Sequence, residues 1–185
     1  MNNNIKITFP DGSVKEFEKG ITPYQIAESI SGRLAKEALV AKVDGVVRDL
    51  HAPINKDSQL QILTFNDEDG RETYWHSSSH LMAHAVKALY PEAKFGVGPA
   101  IDSGFYYDID IDTQLTEEDL PKIEKKMMEI ASENKPFLRE ELSKQQAIDL
   151  YSQVGDNYKL EIIDDLNDCL LYTSPSPRDR TRSRM

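Results

Sequence analysis

The chain has 185 residues, a formal net charge of −10 and 39% hydrophobic residues. This length fits one ordinary domain or two small ones, and no apolar run approaches the roughly 18 residues that a transmembrane helix needs. The amino terminus has neither a basic region nor an apolar stretch for secretion, so we predict a cytoplasmic protein without membrane contact. A single cysteine, Cys169, excludes an internal disulfide and a zinc ribbon.

The charge is unevenly distributed along the chain. The last thirteen residues contain four arginines and one aspartate, a net +3, which leaves −13 for residues 1–172. Such an acidic surface repels phosphate, so any contact with a nucleic acid must be local and specific. Half of the eight arginines and none of the fourteen lysines lie in the last eight residues. On this composition we predict that residues 169–185 are a non-native or disordered tail.

Residues 1–64 alternate strand and turn signals around one helix. Period-2 alternation in residues 5–9 and 14–17, with a turn between them, predicts a β-hairpin. The same periodicity predicts three later strands, at residues 39–43, 46–50 and 60–63. Two strands, a helix and three more strands predict an α+β fold that opens with a ubiquitin-like β-grasp domain.

The helix of this domain has a clear start signal. Thr22 is an N-cap residue, Pro23 occupies the first helical position, and Gln25 stands at the capping-box position. We predict a helix that extends to about Ile30 and is ended by Gly32.

Residues 65–71 are polar and charged, and we predict that they link two domains. The second domain, residues 72–168, opens with a helix over residues 72–89 that stops at a proline. Its remaining predicted elements are an aromatic strand at residues 105–110, a helix from Thr116 to about Asn134 with Leu120, Ile123, Met127 and Ile130 buried, a strand at 137–142, a helix capped by Ser143 and Gln146, and a strand at 158–163.

The first helix of the second domain holds three of the four histidines, His76, His80 and His84, at a spacing of four. A step of four advances about 40° past a full turn, so the rings form one slowly drifting stripe that can converge on one spot. Ala83 and Lys87 fall on the same side. The apolar residues cluster on the far side, namely Tyr74, Leu81, Met82, Ala85, Val86 and Leu89. We expect the apolar side to face the core and the histidines to face a cleft.

Two histidines on one wall permit several kinds of chemistry. Neutral imidazole can accept a proton from water and later protonate a leaving oxygen, which suits ester hydrolysis. The histidines could equally bind zinc, but a catalytic zinc needs a third protein ligand, and only His84 shares this face. The His-Glu-x-x-His signature of zinc proteases is absent, because Ser77 stands where the glutamate would be. A solvated helix face without chemistry is the third interpretation.

Several motifs together resemble one family. The β-grasp domain and charged linker precede His76-x-x-x-His80 and the run Gly98-Pro99-x-x-Asp102-x-Gly104-Phe105-Tyr106-Tyr107-Asp108. This order is similar to the amino-terminal part of bacterial-type threonyl-tRNA synthetases. Residues 1–64 resemble the TGS domain of that family, and residues 72–168 resemble the start of its editing domain.

The resemblance implies a fragment of a threonine–tRNA ligase, which attaches threonine to tRNA(Thr) with ATP. It implies that the aminoacylation core lies outside the fragment, which we expect to be inactive in aminoacylation. For the fragment we predict no cofactor and no metal; for the full-length protein the family implies ATP, Mg and a zinc ion in that core. The implied partners are the acceptor end of tRNA(Thr) and a second subunit of a homodimer formed through the core.

The family also implies a second activity, the hydrolysis of mischarged seryl-tRNA(Thr). Its site residues correspond to His76 and His80, to Tyr107 in the aromatic strand, and to Lys159 in the following strand. The family completes this pocket with a later Cys-x-x-x-His segment, so the fragment would contain part of the site. Two alternatives stay open. One is a regulatory or binding module that contains a TGS domain, and the other is a stand-alone, histidine-rich, metal-dependent hydrolase.

Overall fold

The computed structural model describes residues 3–135, 140–154, 157–164, 171–175 and 180–182. The chain divides into two compact units, unit 1 (Met1–Trp75) and unit 2 (His76–Met185). None of the helices in the described ranges combines the length and the apolar character needed to cross a membrane.

Unit 1 is built on one five-stranded sheet. Its elements are strands β1 (Asn4–Thr8) and β2 (Val14–Glu18), helices α1 (Pro23–Ile30) and α2 (Gly32–Glu37), and strands β3 (Val40–Val43), β4 (Val46–Arg48) and β5 (Ser58–Leu63). The strand order is β2-β1-β5-β3-β4, with β1 and β5 parallel and the other neighbours antiparallel. This mixed sheet with its helices confirms the predicted α+β fold and the predicted hairpin.

The core of unit 1 follows from the period-2 pattern of its strands. Ile5 and Ile7 of β1 are buried and alternate with exposed residues. They pack with Ile26 of α1 and with Leu60 of β5. Full burial of an aliphatic side chain contributes about 1.5–3 kcal/mol, so this cluster is the main source of stability for the sheet and its helix.

The capping box of α1 forms as predicted. The backbone N–H of Gln25 donates to Thr22 Oγ1 at 3.3 Å, and the N–H of Thr22 donates to Gln25 Oε1 at 3.0 Å. Helix α1 ends where predicted, but Gly32 then begins α2, a helix that the sequence analysis missed. Ser31 serves both helices, because it is the C-cap of α1 and its Oγ accepts from the N–H of Leu34 at 3.0 Å.

Helix α3 (Glu68–Leu89) begins four residues earlier than predicted, inside the charged stretch. The Asp67 carboxylate accepts from the backbone N–H of Thr64 at 2.8 Å and so fixes the entry to the helix. Asp69 forms an ion pair with Lys42 of the sheet. Because these partners satisfy its polar groups, a sequence with the composition of a linker folds into the first turn of a helix.

A glycine allows this first turn to approach the sheet closely. A Cβ at Gly70 would lie 1.9 Å from the carbonyl oxygen of Thr64. Alanine normally favours a helix by about 1 kcal/mol over glycine, but here a backbone atom occupies the position of the methyl group. We expect Gly70→Ala to lower the unfolding free energy of unit 1 by about 1–3 kcal/mol. Denaturant titration followed by the fluorescence of Trp75, the only tryptophan, measures this loss.

The matched control is Gly32→Ala, at the start of α2. No atom lies within 4 Å of a Cβ built there, so we expect unchanged or slightly raised stability. Equal stability of the Gly70→Ala and Gly32→Ala variants would contradict the close approach of α3 to Thr64.

Unit 2 contains most of α3 and a series of short elements. They are strands β6 (Lys94–Phe95), β7 (Ala100–Ile101), β8 (Gly104–Phe105) and β9 (Ile109–Asp110), a 3₁₀ turn (Glu117–Asp119), helix α4 (Leu120–Ser132), strand β10 (Glu140–Leu142), helices α5 (Lys144–Val154) and α6 (Asn157–Asp164), and strands β11 (Leu171–Pro175) and β12 (Arg180–Arg182). Strand β6 pairs with β9, β7 pairs with β8, and β10-β11-β12 form a three-stranded sheet, all antiparallel. The predicted aromatic strand is therefore two short strands, because the chain leaves the extended pairing between Phe105 and Ile109.

The main core of unit 2 lies between α3 and α4. The buried members are Ala83, Ala85, Val86, Ala93, Phe95 and Ile123. Met127 and Ile130 of α4 pack against them, as predicted, but Leu120 is 59% exposed. The prediction for Leu120 was wrong because α4 starts at this residue, after the 3₁₀ turn, and the buried stripe begins at the next turn.

The segment at residues 158–163 was predicted to be a strand, and this prediction was wrong. It lies in helix α6, where Leu160 and Ile163, three residues apart, pack with Ala147 and Tyr151 of α5. A run of apolar residues this short fits either a strand or one face of a helix, and contact with α5 selects the helix. Of the predicted strand at 137–142, residues 140–142 form β10, and residues 137–139 lie outside the described residues.

Part of the predicted carboxyl-terminal tail is described. Strand β11 pairs with β10, and β12 pairs with β11. The other residues of 169–185, including Cys169, lie outside the described residues. Strand pairing does not test the origin of this arginine-rich segment, which stays a prediction from composition.

Candidate functional site

Helix α3 places two histidine rings in direct contact. Nε2 of His76 and Nε2 of His80 are 2.9 Å apart, and the ring centroids are 4.5 Å apart with the planes at 84°. This distance is that of a hydrogen bond. Such a bond needs an N–H on one ring and a lone pair on the other, so the two neutral imidazoles must be opposite tautomers.

The environment of His80 assigns the two tautomers. Among the described residues, Nδ1 of His80 is buried without a hydrogen-bond partner. Buried N–H groups without an acceptor are rare and costly in folded proteins. We therefore place the proton of His80 on Nε2, where it is donated to His76 Nε2. Nδ1 of His80 is then a buried lone pair that can accept a proton.

His80 is neutral at physiological pH. Burial chiefly, and the charges of His76 and Lys159 to a smaller extent, lower the pKa of His80 to about 4. At pH 7 the ring therefore keeps its lone pair for proton transfer.

The low pKa of His80 predicts a pH dependence of stability. The folded-state pKa is about 4 and the unfolded value is about 6.5, so the unfolded chain binds more protons between these pH values. The contribution of His80 is complete above about pH 6.5 and is lost as the pH falls through about 4. We expect a loss of about 3 kcal/mol of unfolding free energy over this window. Urea unfolding at pH 7, 5.5 and 4 measures it.

The control for this prediction is His80→Gln, which keeps a polar side chain but cannot titrate. The difference in unfolding free energy between the variant and the parent chain should shrink as the pH falls from 7 to 4. A difference that is constant with pH would contradict the buried, neutral state of His80.

Lys159 approaches the pair from α6. Its side chain is 8% exposed, and its Nζ lies 5.3 Å from the ring centroid of Tyr151. Its charge acts on His80, as the pKa of that ring shows. The structure thus brings the rings of His76 and His80 into contact and places Lys159 where its charge acts on His80. Lys159 comes from a helix and not from the predicted strand.

Tyr107, the fourth predicted residue, lies against a glycine next to α3. A Cβ at Gly98 would lie 2.3 Å from the Tyr107 ring, so the ring covers this glycine directly. The carbonyl oxygen of Gly98 is 3.2 Å from Oγ of Ser79, which lies between the two histidines in α3. Tyr106 is 52% exposed, whereas Tyr107 packs against the core with its ring 5.6 Å from that of Phe95.

The third histidine of the stripe, His84, contributes to the electrostatics of α4. It acts on Glu133 near the end of α4, where Lys135 chiefly, and His84 to a smaller extent, lower the pKa of that carboxylate. Within the residues that the structure describes, no group of three or more His, Cys, Asp or Glu side chains is placed to hold a metal ion. The three histidines therefore do not form the ligand set that the metal-dependent alternative requires.

Comparison with known proteins finds one matching family model and several similar proteins. Residues 5–64 match the model of the TGS domain. Residues 5–64 form a TGS domain. The chain is 49% identical over 165 residues to the threonine–tRNA ligase of Cytophaga hutchinsonii, which covers 89% of this chain and 26% of that protein. It is 48% identical over 164 residues to threonine–tRNA ligase 1 of Bacillus subtilis, covering 89% of this chain and 26% of that protein, and 52% identical over 164 residues to the ligase of Enterococcus faecalis, covering 88% and 25%.

The chain thus spans about a quarter of the length of the curated relatives it matches. The TGS domain and the level of identity confirm the resemblance to an amino-terminal fragment of bacterial threonine–tRNA ligases. They do not favour the alternative of a regulatory module, since the relatives reported above are ligases.

Downstream of the TGS domain, the predicted buried side of α3 was correct for Ala85 and Val86, which lie in the core, and wrong at other positions. Ala83 is 4% exposed although it was expected beside the histidines, and Leu89 is 38% exposed although it was expected in the core. Ser79 was missed altogether, yet it is fully buried, with Oγ 2.8 Å from the carbonyl oxygen of His76. The available signal was the pair of small residues, Ser79 and Ala83, at a spacing of four, because small side chains let a neighbouring segment approach a helix.

Proposed function

We propose that this chain is the amino-terminal part of a threonine–tRNA ligase and that unit 2 contributes part of a site that removes serine from mischarged seryl-tRNA(Thr). The similarity to ligases supports the first statement. The second is supported by the paired rings of His76 and His80 and by the charge of Lys159, which acts on His80. The observation that carries it is the buried Nδ1 lone pair of His80, a proton acceptor that no described residue occupies.

The chemistry of the two amino acids explains the need for such a site. Serine is threonine without one methyl group, and a missing methyl changes binding by only about 1–3 kcal/mol. A single binding site for threonine therefore accepts serine at a frequency too high for accurate translation. A second, hydrolytic site separates the two amino acids again.

The paired rings can carry the proton that ester hydrolysis releases. A water oxygen attacks the carbonyl carbon of the seryl ester while Nδ1 of His80 takes a proton from that water. His80 then passes its Nε2 proton to Nε2 of His76, so the positive charge leaves the buried ring. The bond from the carbonyl carbon to the ribose oxygen breaks, and this oxygen receives the proton. Serine and tRNA(Thr) with a free terminal hydroxyl are the products.

The other two residues act on the charge and the position of the substrate. The Lys159 ammonium offsets the negative charge that develops on the carbonyl oxygen. The ring of Tyr107, held on Gly98, forms a wall from which its hydroxyl contacts the seryl group. The acceptor end of tRNA(Thr) is the partner of this site, and unit 2 uses no cofactor or metal for the reaction.

We assign the attachment of threonine to tRNA(Thr) to the rest of the protein. A catalytic core outside these 185 residues would bind threonine, ATP, Mg and a zinc ion. The same core would hold the two subunits of a homodimer together, and the protein would act in the cytoplasm. The fragment by itself would not aminoacylate.

A chimaeric ligase tests this proposal. Residues 1–164 replace the matching region of the Enterococcus faecalis ligase, to which the chain is 52% identical. We expect the chimaera to attach threonine to tRNA(Thr) and to hydrolyse seryl-tRNA(Thr). A chimaera that attaches threonine normally but leaves seryl-tRNA(Thr) intact would overturn the proposed function of unit 2.

A further inference from the structure

Tyr151 lies where helices α5 and α6 pack together, and its ring is also close to Lys159 of the proposed site. Tyr151 is 1% exposed, and it is the largest of the fully buried side chains among the described residues. It packs with Ala147 of its own helix, α5, and with Ile163 of α6. Its ring lies 5.3 Å from Nζ of Lys159. The proposed function gives this aromatic contact no role.

A lysine at this position needs something to hold its charge. The ammonium of lysine is strongly hydrated and sits on a flexible four-carbon stem, so it tends to turn towards water. Lys159 is nevertheless 8% exposed. A cation within about 6 Å of the centroid of an aromatic ring is attracted by the negative charge of the ring face, and this attraction grows when water is excluded. The ring of Tyr151 meets both conditions.

We infer that Tyr151 is a positioning residue: its buried ring holds the Lys159 ammonium in the place from which its charge acts on His80. The aromatic ring, and not the hydroxyl, holds the ammonium, because the attraction comes from the face of the ring. The inference rests on the proposed function in one respect only, the role of Lys159 in hydrolysis. The holding of Lys159 is a property of the folded chain and is measured without substrate.

His80 is a natural reporter for the position of this charge. Among the residues that the structure describes, the charged groups that lower its pKa are His76, from its own helix, and Lys159, from α6. If the Lys159 ammonium moves away, the field at His80 becomes less positive, and the pKa of His80 rises. Loosened packing that lets water reach the ring raises this pKa as well, because burial is the first cause of its low value. That rise would persist after Lys159 is replaced, whereas a rise caused by displacement of the ammonium would not.

The first experiment follows the pKa of His80 by NMR titration of the 185-residue chain. Lys159→Met should shift this pKa upwards, which sets the size of the effect of the charge. Tyr151→Phe should leave it unchanged, and Tyr151→Leu should shift it upwards. In the double variant Tyr151→Leu with Lys159→Met the two shifts should not add, because both remove the same charge. An unchanged pKa in Tyr151→Leu, or full additivity in the double variant, would overturn the inference.

Lys144→Met is the matched control. Lys144 also joins α5 to α6, through its Nζ and the carbonyl oxygen of Asp164 at 2.9 Å. Its removal should leave the pKa of His80 unchanged. A shift equal to that of Lys159→Met would overturn the inference, since the pKa of His80 would then respond to any loosening of the two helices.

A second experiment covers the case in which Tyr151→Leu fails to fold. Phenylalanines with one to four ring fluorines at position 151 keep the shape of the ring and progressively remove the negative charge from its face. The pKa of His80 should rise in steps with fluorination. A flat response would overturn the inference. Because neither experiment needs tRNA, a chimaera without hydrolytic activity would disprove the proposed function and leave this result standing.

Discussion

Removal of both paired imidazoles, His76→Ala with His80→Ala, is expected to lower the hydrolysis of seryl-tRNA(Thr) by the chimaeric ligase about 10²–10⁴-fold. The physical reason is the loss of the acceptor at His80 Nδ1 and of the neighbouring ring that receives its second proton. Release of radiolabelled serine under single-turnover conditions measures the rate. The attachment of threonine should be unchanged, because it takes place in the other part of the protein.

The control for this prediction is His84→Ala, which removes a histidine from the same helix but not from the pair. Its hydrolysis rate should stay within a few-fold of the parent chimaera. Unchanged hydrolysis in the double variant would show that other groups carry the proton and would refute the assignment of the site.

A single methyl group at Gly98 is expected to have the second largest effect. The Cβ of alanine would lie 2.3 Å from one carbon of the Tyr107 ring and 2.8 Å from another at the base of the ring. The ring packs against Phe95, so either Tyr107 or the segment around Gly98 must move. We expect Gly98→Ala to destabilise unit 2 by about 1–3 kcal/mol. A displacement of about 1 Å at a site can reduce the rate about 10²-fold, and we expect a loss of this size in hydrolysis.

Gly96→Ala is the comparison variant for Gly98→Ala. A Cβ at Gly96 would lie 3.6 Å from the carbonyl oxygen of Asp108, an ordinary contact, and 3.2 Å from its Cβ, a contact that a shift of a few tenths of an ångström relieves. Its effect on hydrolysis should be at least tenfold smaller. In the double variant Gly98→Ala with Tyr107→Ala, the two losses of stability should not add, because the methyl group has no clash once the ring is gone, and hydrolysis should stay low. Equal effects of Gly96→Ala and Gly98→Ala would contradict the role given to the Tyr107 ring.

The fold of the first domain could be predicted from the sequence because its signals are local. The capping box of Thr22 and Gln25 and the alternation of Ile5 and Ile7 each depend on residues a few positions apart. The two departures came from context. Ser31 begins a second helix directly after the first, and Asp69 finds a partner in Lys42, which is distant in sequence.

The candidate site could be predicted only in part from the sequence. The spacing of His76 and His80 predicts neighbouring rings on any helix, and the structure shows that contact. The burial of His80 and the approach of Lys159 depend on how α6 packs, and α6 itself was mistaken for a strand. The contact between Gly98 and Tyr107 is likewise a matter of tertiary packing, which periodicity does not encode.

The proposed site depends on a neutral His80 that donates from Nε2 to His76 and keeps a lone pair on its buried Nδ1. Nitrogen-15 NMR of the histidine rings in the 185-residue chain, recorded from pH 8 to pH 3.5, tests this most directly. We predict that His80 shows a protonated Nε2 and an unprotonated Nδ1 at pH 7 and that it titrates with a pKa of about 4. A His80 ring that carries its proton on Nδ1, or that titrates near the ordinary value of about 6.5, would contradict the account.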